Sequence, residues 1–350
     1  MFKKGHGSMR IAVDAMGSDN YPRPDVEGAV LAAREYGDEI ILVGDQQQIQ
    51  AQLALYQTSG LKIEIVHAPQ AVTMDDKPSV VVKSKPQSSM HVGLSLVRDG
   101  AADAFVTAGN TGAALSIATL ATLRRIPGIK RPALSTLIGI GDRNVIVLDV
   151  GANTDCKTEW LLQFALMGQI YARSVLGLAN PRIALLANGE EEEKGSEVVQ
   201  QTHKLLRTMQ DINFVGNIEP KDMMKGTVDV IVCDGFVGNI LLKSLEGATR
   251  LMVDLIREEL MRSTVTKIGA LLARPAFRRV ARQIDPNERG GAPLLGVNGV
   301  VIIGHGRSNG YAVKNAIRQA RKAVEGRLID TIRTGIGAFQ EDEQTKLDEH

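Results

Sequence analysis

Short apolar runs alternate with longer amphipathic segments along this chain, and no other sequence feature narrows the possible folds so far. The runs "RIAVDA", "EIILVGD", "KIEIVHAP", "AFVTAG", "ALSTLIGI", "NVIVLDVGA", "RIALLANG", "INFVGNI", "VDVIVCDG" and "GVVIIGHG" read as strands, because each has a short apolar body, rich in Val, Ile and Leu in most, and Gly or a polar residue closes five of them. Residues 24–36, 87–99, 111–124, 158–176, 195–209, 238–262 and 309–325 have helical spacing. Pro22 and Pro24 suit the start of the first helix and Gly37 its end. Such alternation marks βαβ units, so the expected fold is α/β, a mostly parallel sheet with helices on both faces. Ten strands are many for one open sheet, which suggests two lobes or one large sheet with an inserted subdomain. Residues 9–335 are read as a single α/β unit, 1–8 as an extension or expression scar before Met9, and 336–350 as a polar, frayed tail.

Composition excludes several classes. The 350 residues are 44% apolar and 23% charged, which fits neither a disordered nor a fibrous chain. A formal net charge of +1 argues against a surface devoted to nucleic acid, leaving room only for a local basic patch. Cys156 and Cys233 are too few for a disulfide framework or a cysteine zinc site, so a reducing cytoplasm is expected. No apolar run is long enough to span a bilayer, and "MFKKGHGSM" lacks the apolar core of a signal peptide. The six histidines are scattered without close pairs, so no metal is expected.

Five strands end alike, in "VTAGNTGAA", "LDVGANTDCK", "LLANGEEEEKG", "VCDGFVGNILLK" and "IIGHGRSNGYA". If the carboxyl ends of a parallel sheet share one edge, these turns converge where such folds bind ligands. Their helix starts favour an anion, with Asn110, Asn153, Asn188 and Asn239 available to orient it. The site therefore reads as a binder of something phosphorylated or oxyanionic. "GEEEEKG" is not a P-loop, and in "GHGRSNG" Asn309 stands where the dinucleotide fingerprint has its third Gly, which disfavours a kinase or a plain dehydrogenase. The run from Glu190 to Lys194 fits a helix start better than a cation site. Cys156 has no evident His partner and reads as a packed residue rather than a nucleophile. His305, between two glycines at a strand end, reads as a site residue.

From Arg262 to Ile284 the chain carries Lys267, Arg274, Arg278, Arg279 and Arg282 with no acid, while Ile268, Leu271, Leu272, Phe277 and Val280 recur at helical spacing. Two short basic amphipathic helices broken at Pro275 are expected, suited to an anionic membrane surface, an acidic partner or a subunit interface. "RIAVDAMGSDNYP" is the other unusual stretch, because it leaves a strand and at once places Asp14, Gly17, Ser18, Asp19 and Asn20 on one turn. Asp14 there either meets ligand or braces another loop.

The motifs "DAMGSDNYP", "TAGNTGAAL", "DVGANTDCK", "QFALMG", "LLANGEEEEKG", "VCDGFVGNILLKSLEG" and "GGAPLLGVNGVVIIGHGRSNGYAVKNAI" are long and ordered along the chain. From about Arg10 to Arg333 the chain resembles the bacterial phosphate acyltransferases of phospholipid synthesis, which use acyl-acyl carrier protein. It departs from that family's usual pattern at Ser18, where Gly is common, at Tyr21, where Ala is common, and at Thr158, where Pro is common. The resemblance implies a two-lobed fold similar to phosphotransacetylases and isocitrate-type dehydrogenases, and usually a homodimer. It implies transfer of a long-chain acyl group from carrier protein to inorganic phosphate, without a cofactor, for a downstream membrane glycerol 3-phosphate acyltransferase. It also implies a cytoplasmic enzyme resting on the inner face of the membrane.

On that reading His305, Lys194 and Asn188 are the expected catalytic groups. Asn110, Thr111, Gly112, Asn153, Asp155, Glu190, Asp234, Asn239, Lys243, Gly306 and Ser308 are expected around phosphate and substrate, with Asp14, Gly17 and Asn20 at the site edge. Leu271, Leu272, Arg274, Phe277, Arg278 and Arg279 are expected to meet membrane or carrier. A phosphotransacylase acting on short acyl-coenzyme A, a hydroxyacid dehydrogenase of similar fold and a non-catalytic membrane scaffold are the alternatives.

Overall fold

In the computed structural model, which describes residues 8–141 and 143–348, the chain begins β1 (Arg10–Asp14), α1 (Arg23–Tyr36), β2 (Glu39–Gly44), α2 (Gln46–Leu53), β3 (Ile63–His67), α3 (Pro78–Ser84), α4 (Ser89–Arg98), β4 (Ala104–Thr107) and α5 (Thr111–Ser116). It continues with β5 (Ala133–Ile140), β6 (Arg143–Leu148), α6 (Thr158–Ser174), β7 (Ile183–Leu186), α7 (Glu197–Thr208), β8 (Phe214–Ile218), α8 (Pro220–Met223) and β9 (Val230–Val232). It closes with α9 (Gly235–Leu260), α10 (Thr264–Ile284), β10 (Ala292–Leu295), β11 (Val300–Ile303), α11 (Gly310–Glu325) and α12 (Leu328–Asp348). Residues 1–7 of the expected extension and the last two of the tail lie outside the described residues, as do the side chains of Arg282 and Ile284.

The ten expected strands are all present, and β10 joins them in one sheet of order β3-β2-β1-β4-β11-β10-β5-β6-β9-β7-β8. Helices pack on both faces, and alternate strand residues divide between two cores. On one face Ile11, Val13, Ile40, Leu42, Val106, Ile146 and Val230 meet α1, α6 and α11. On the other Ala12, Ile41, Val43, Phe105, Val147 and Ile231 meet α4, α5 and the start of α9. This period-two division is what strands covered on both faces require, and it is why their sequences read as unbroken apolar runs.

One expectation is corrected by strand direction. β1 to β4 and β11 are parallel, but β10 is antiparallel to β11, β5 to β10 and β6 to β5, while β9, β7 and β8 follow β6. Three successive reversals turn the β6-β9-β7-β8 half against the β1 half. The turns after β4 and β11 therefore leave one edge of the sheet, and those after β6, β7 and β9 leave the other.

The basic segment also differs from expectation. α10 is one helix that passes through Pro275. The missing N–H of a proline costs the bond to the carbonyl four residues earlier, here Leu271, and that residue is exposed, so water can take the carbonyl. α9 buries only Gly235 and Gly238, and with α10 it presents Leu251, Met252, Leu255, Ile268, Leu271 and Leu272 to solvent. α12 runs into the expected polar tail as far as Asp348. Glu190–Lys194 precedes α7 as a turn, and Ser196 caps that helix.

Candidate active site

Asp149 ties the starts of β5 and α9 together. Its carboxylate accepts from Leu134 N (3.0 Å), Ala152 N (2.9 Å), Asn153 N (2.7 Å) and Asn153 Nδ2 (2.8 Å). Gly235 N in turn donates to Asn153 O at 2.7 Å. From this junction β5 and α9 line a cavity of about 790 Å³, β5 from Leu134 to Gly139 and α9 from Asn239 to Arg250. Each stretch covers about 16 Å at the rise of a strand or a helix. Leu134, Leu137, Ile138, Leu242 and Leu245 make an apolar wall, and Thr111, Gly112, Asn239, Lys243, Glu246, His305 and Arg307 supply polar groups.

Glu246 organises those polar groups. It is 19% exposed and lies 3.4 Å from Lys243 Nζ, 3.6 Å from His305 Nε2 and 3.7 Å from Arg307. Burial pulls the His305 pKa down, Glu246 opposes that, and Lys243 and Arg307 add to the fall. His305 is therefore a neutral imidazole near pH 7, beside two cations and one carboxylate. Glu246 and Arg307 were not among the expected site residues. The Lys243/Glu246 spacing of three on a helix was their signal in the sequence, along with Arg307 inside "GHGRSNG".

Of the expected residues, Thr111, Gly112, Asn239, Lys243 and His305 meet in this cavity. Others are engaged as braces. Asn110 caps α5 by accepting from Ala113 N at 3.0 Å, and its Nδ2 donates to the carbonyls of Thr73, Met74 and Asp76 at 3.1 to 3.3 Å. Asn153 Nδ2 donates to Pro132 O at 2.7 Å, and Asp234 caps α9 through Val237 N at 2.8 Å. Ser308 is buried, and its N–H donates to His305 O at 2.9 Å, folding the loop that presents the imidazole. Asn188 accepts from Gly195 N at 2.9 Å and closes the exposed turn that holds Glu190 and Lys194. That turn lies outside the cavity wall, although Glu190 acts on Lys225, the neighbour of wall residue Met224. Asp155 and Asn20 are exposed. Cys156 is no nucleophile at neutral pH, since burial and nearby carboxylates push its thiol up to about 12.

Asp14 proves to be a brace rather than a wall of the cavity. It is buried and accepts from Thr107 Oγ1 at 2.8 Å and Met16 N at 3.1 Å. Gly17 is required there, because an added Cβ would lie 2.8 Å from Asp14 Oδ2 and 2.9 Å from Thr107 Oγ1. Ser18 Oγ donates to Asp25 Oδ2 at 2.6 Å, and Asp19 N donates to Gly306 O at 2.7 Å, beside His305. Burial, with Asp14 nearby, pushes Asp25 up to about 8. The crowded turn after β1 thus holds the His305 loop through its backbone.

The fold is that of the phosphotransacetylases. The EutD phosphotransacetylase from Staphylococcus aureus aligns with a TM-score of 0.55 at 17% identity, over 90% of this chain and 94% of that one. A branched-chain phosphotransacylase from Enterococcus faecalis aligns with a TM-score of 0.59 at 14% identity, over 90% and 99%. Sequence narrows the class further. A phosphate acyltransferase of Pelotomaculum thermopropionicum is 49% identical over 332 residues, 95% of this chain and 96% of the relative. One from Geobacter sulfurreducens is 46% identical over 337 residues, 95% and 97%. The model of the "Fatty acid synthesis protein" family matches residues 9–330. The chain belongs to that family, whose members include these phosphate acyltransferases, and it is an acyltransferase.

Proposed function

We propose that this protein transfers a long-chain acyl group from the thioester of an acyl carrier protein to inorganic phosphate, and that the reaction takes place in the cavity between β5 and α9. The observation that carries the reading is the grouping of His305, Lys243, Arg307 and Glu246 beside an apolar wall. Phosphate is itself a nucleophile at neutral pH, so the protein's task is to hold it against the carbonyl and stabilise the oxyanion. Lys243 and Arg307 supply positive charge for phosphate, and Thr111 and Asn239 add side-chain donors. A phosphate oxygen bonds to the carbonyl carbon, the tetrahedral oxyanion collapses, and the carbon–sulfur bond breaks. The proton of hydrogen phosphate passes through neutral His305 to the departing thiolate, leaving acyl phosphate and free thiol. Glu246 keeps the imidazole and both cations in register. The apolar wall takes the start of the acyl chain.

Replacing His305 by Ala tests the assignment. Turnover of palmitoyl-carrier thioester is expected to fall about 100-fold with little change in the KM for phosphate. Near-normal turnover would remove His305 from the reaction. The neighbouring fold supports a second reading, a phosphotransacylase acting on short acyl-coenzyme A. Effective competition by coenzyme A against the carrier substrate would favour it.

We further infer peripheral binding to an anionic bilayer through α9 and α10. Exposed Leu271 and Leu272 share α10 with Arg274, Phe277, Arg278 and Arg279, which combines an apolar face with cations suited to acidic lipid head groups. Among the described residues no helix is long and apolar enough to cross a membrane. A position on the bilayer would deliver acyl phosphate to a membrane glycerol 3-phosphate acyltransferase. A homodimer of this chain is part of the same proposal.

A further inference from the structure

The cavity does not end at His305. One helical step of seven residues beyond Lys243, about 10 Å along α9, Arg250 lines the same space, and at the matching end of β5 Arg289 lies over Gly139. Among the described residues Arg250 has no ion-pair partner, and Arg289 has none either. The Arg289 guanidinium is instead held by neutral acceptors, Gln283 O at 2.6 Å, Asp285 O at 3.3 Å and Asn144 Oδ1 at 3.4 Å. The adjacent acids make their hydrogen bonds elsewhere and act on the guanidinium through charge alone. Glu288 accepts from Tyr311 OH at 2.7 Å, and Asp285 Oδ1 accepts from Asn287 N at 2.9 Å.

The turn that carries Arg289 is fixed from behind. Three side chains of α11 donate to three successive carbonyls: Asn315 to Asn287 O at 2.7 Å, Arg318 to Glu288 O at 2.6 Å and Gln319 to Arg289 O at 2.9 Å. Gly290, at φ +92°, lets the chain press against α11, where an added Cβ would lie 2.4 Å from Asn315 backbone. At Gly139 an added Cβ would fall on the guanidinium itself. A cation held rigidly against a cavity wall, with Glu288 and Asp285 acting on it through charge but no carboxylate in ion-pair contact, is preorganised for an anion that enters the cavity.

We propose that Arg250 and Arg289 form a second anion subsite, which binds the phosphate ester on the pantetheine arm of the thioester donor while inorganic phosphate occupies the His305 end. The proposal rests on the carrier-thioester reading of the reaction. The arm's thiol and its phosphate ester are separated by two amide units, about 15 Å when extended, a span of the same order as the cavity wall from Asn239 to Arg250. The apolar wall between the two ends accommodates the arm's methylene and gem-dimethyl groups.

Two sources of phosphate can be told apart with Arg250→Gln, Arg289→Gln and the charge-preserving Arg289→Lys. Arg250 is exposed, so its variant folds irrespective of the turn at Arg289. Arg250→Gln is expected to raise the KM for acyl-carrier substrate about 10-fold. The wild-type preference for acyl-phosphopantetheine over acyl-pantetheine should fall toward unity in both Gln variants and be partly restored in Arg289→Lys. A rise in the KM for inorganic phosphate in place of the donor KM would overturn the assignment, and so would an unchanged preference. Calorimetric titration of the wild type and Arg250→Gln with 4′-phosphopantetheine and with pantetheine needs no turnover. Tighter binding of the phosphorylated compound, lost in the variant, sustains the subsite even if the reaction is not the one proposed. Equal binding of the two compounds in an enzyme that does turn over would refute the subsite alone.

Discussion

Asp25 offers a quantitative test of how the turn after β1 is built. Its carboxyl is fully buried on α1, accepts one hydrogen bond from Ser18 and leaves Oδ1 without a partner. Burial, with the nearby Asp14, raises it from 3.8 to about 8. The unfolded chain therefore releases this proton near pH 4, whereas the folded chain keeps it until about pH 8. A raised folded-state value gives stability that is complete below the unfolded value and lost as pH rises through the folded one. The loss is about 1.4 kcal/mol per pH unit, or about 4 kcal/mol between pH 5 and pH 8. Asp25→Asn resembles the neutral acid, can still accept from Ser18, and does not titrate. Denaturant titrations of both proteins at pH 5 and pH 8 should show the variant gaining about 4 kcal/mol on the wild type between the two values. Titrating groups other than Asp25 and its charge-coupled neighbour Asp14 are common to the two proteins and cancel. A difference that stays constant across that range would refute the buried, protonated Asp25 and with it the account of Ser18.

Gly17→Ala should destabilise the protein by about 1–3 kcal/mol in thermal or denaturant melts, because its Cβ has no room between Asp14 and Thr107. Glu246→Gln removes the carboxylate that lies beside His305, Lys243 and Arg307, so the His305 pKa should fall further and the acidic limb of the rate profile should move to lower pH. An unmoved limb would separate Glu246 from the imidazole. Leu271→Glu with Phe277→Glu should abolish flotation with anionic vesicles while leaving thioester turnover in solution intact, and unchanged flotation would point to a subunit interface instead.

Most of the sheet was legible because doubly covered strands must be apolar throughout. β10 escaped notice because it is four residues long and contains Pro293. The reversal of the second half was harder to see. Ile140 and Arg143 are separated only by Gly141 and Asp142, a spacing that marks a hairpin, yet both flanking runs fit parallel strands equally well. Direction is a long-range property that apolar content does not encode. For the site, the strand-end turns pointed to Thr111, Gly112, Asn239, Lys243 and His305, which line one cavity, whereas other polar residues of the same motifs, Asn110 and Asn153 among them, brace loops. Sequence cannot separate a capping amide from a ligand-facing one, because both need the same residue beside the same turn. Glu246, Arg250 and Arg289 lay beyond that search, two on later turns of α9 and one on a loop fastened by α11. Asp25 hid as an ordinary acid in the first turn of a helix.

The most direct test is release of carrier-protein thiol from purified palmitoyl-acyl carrier protein, with and without inorganic phosphate, with hydroxylamine added to trap acyl phosphate. Release that depends on phosphate, with palmitoyl hydroxamate in matching amount, is the predicted result. Thiol release at the same rate without phosphate, and no hydroxamate, would make the protein a thioesterase and contradict phosphate as the acyl acceptor.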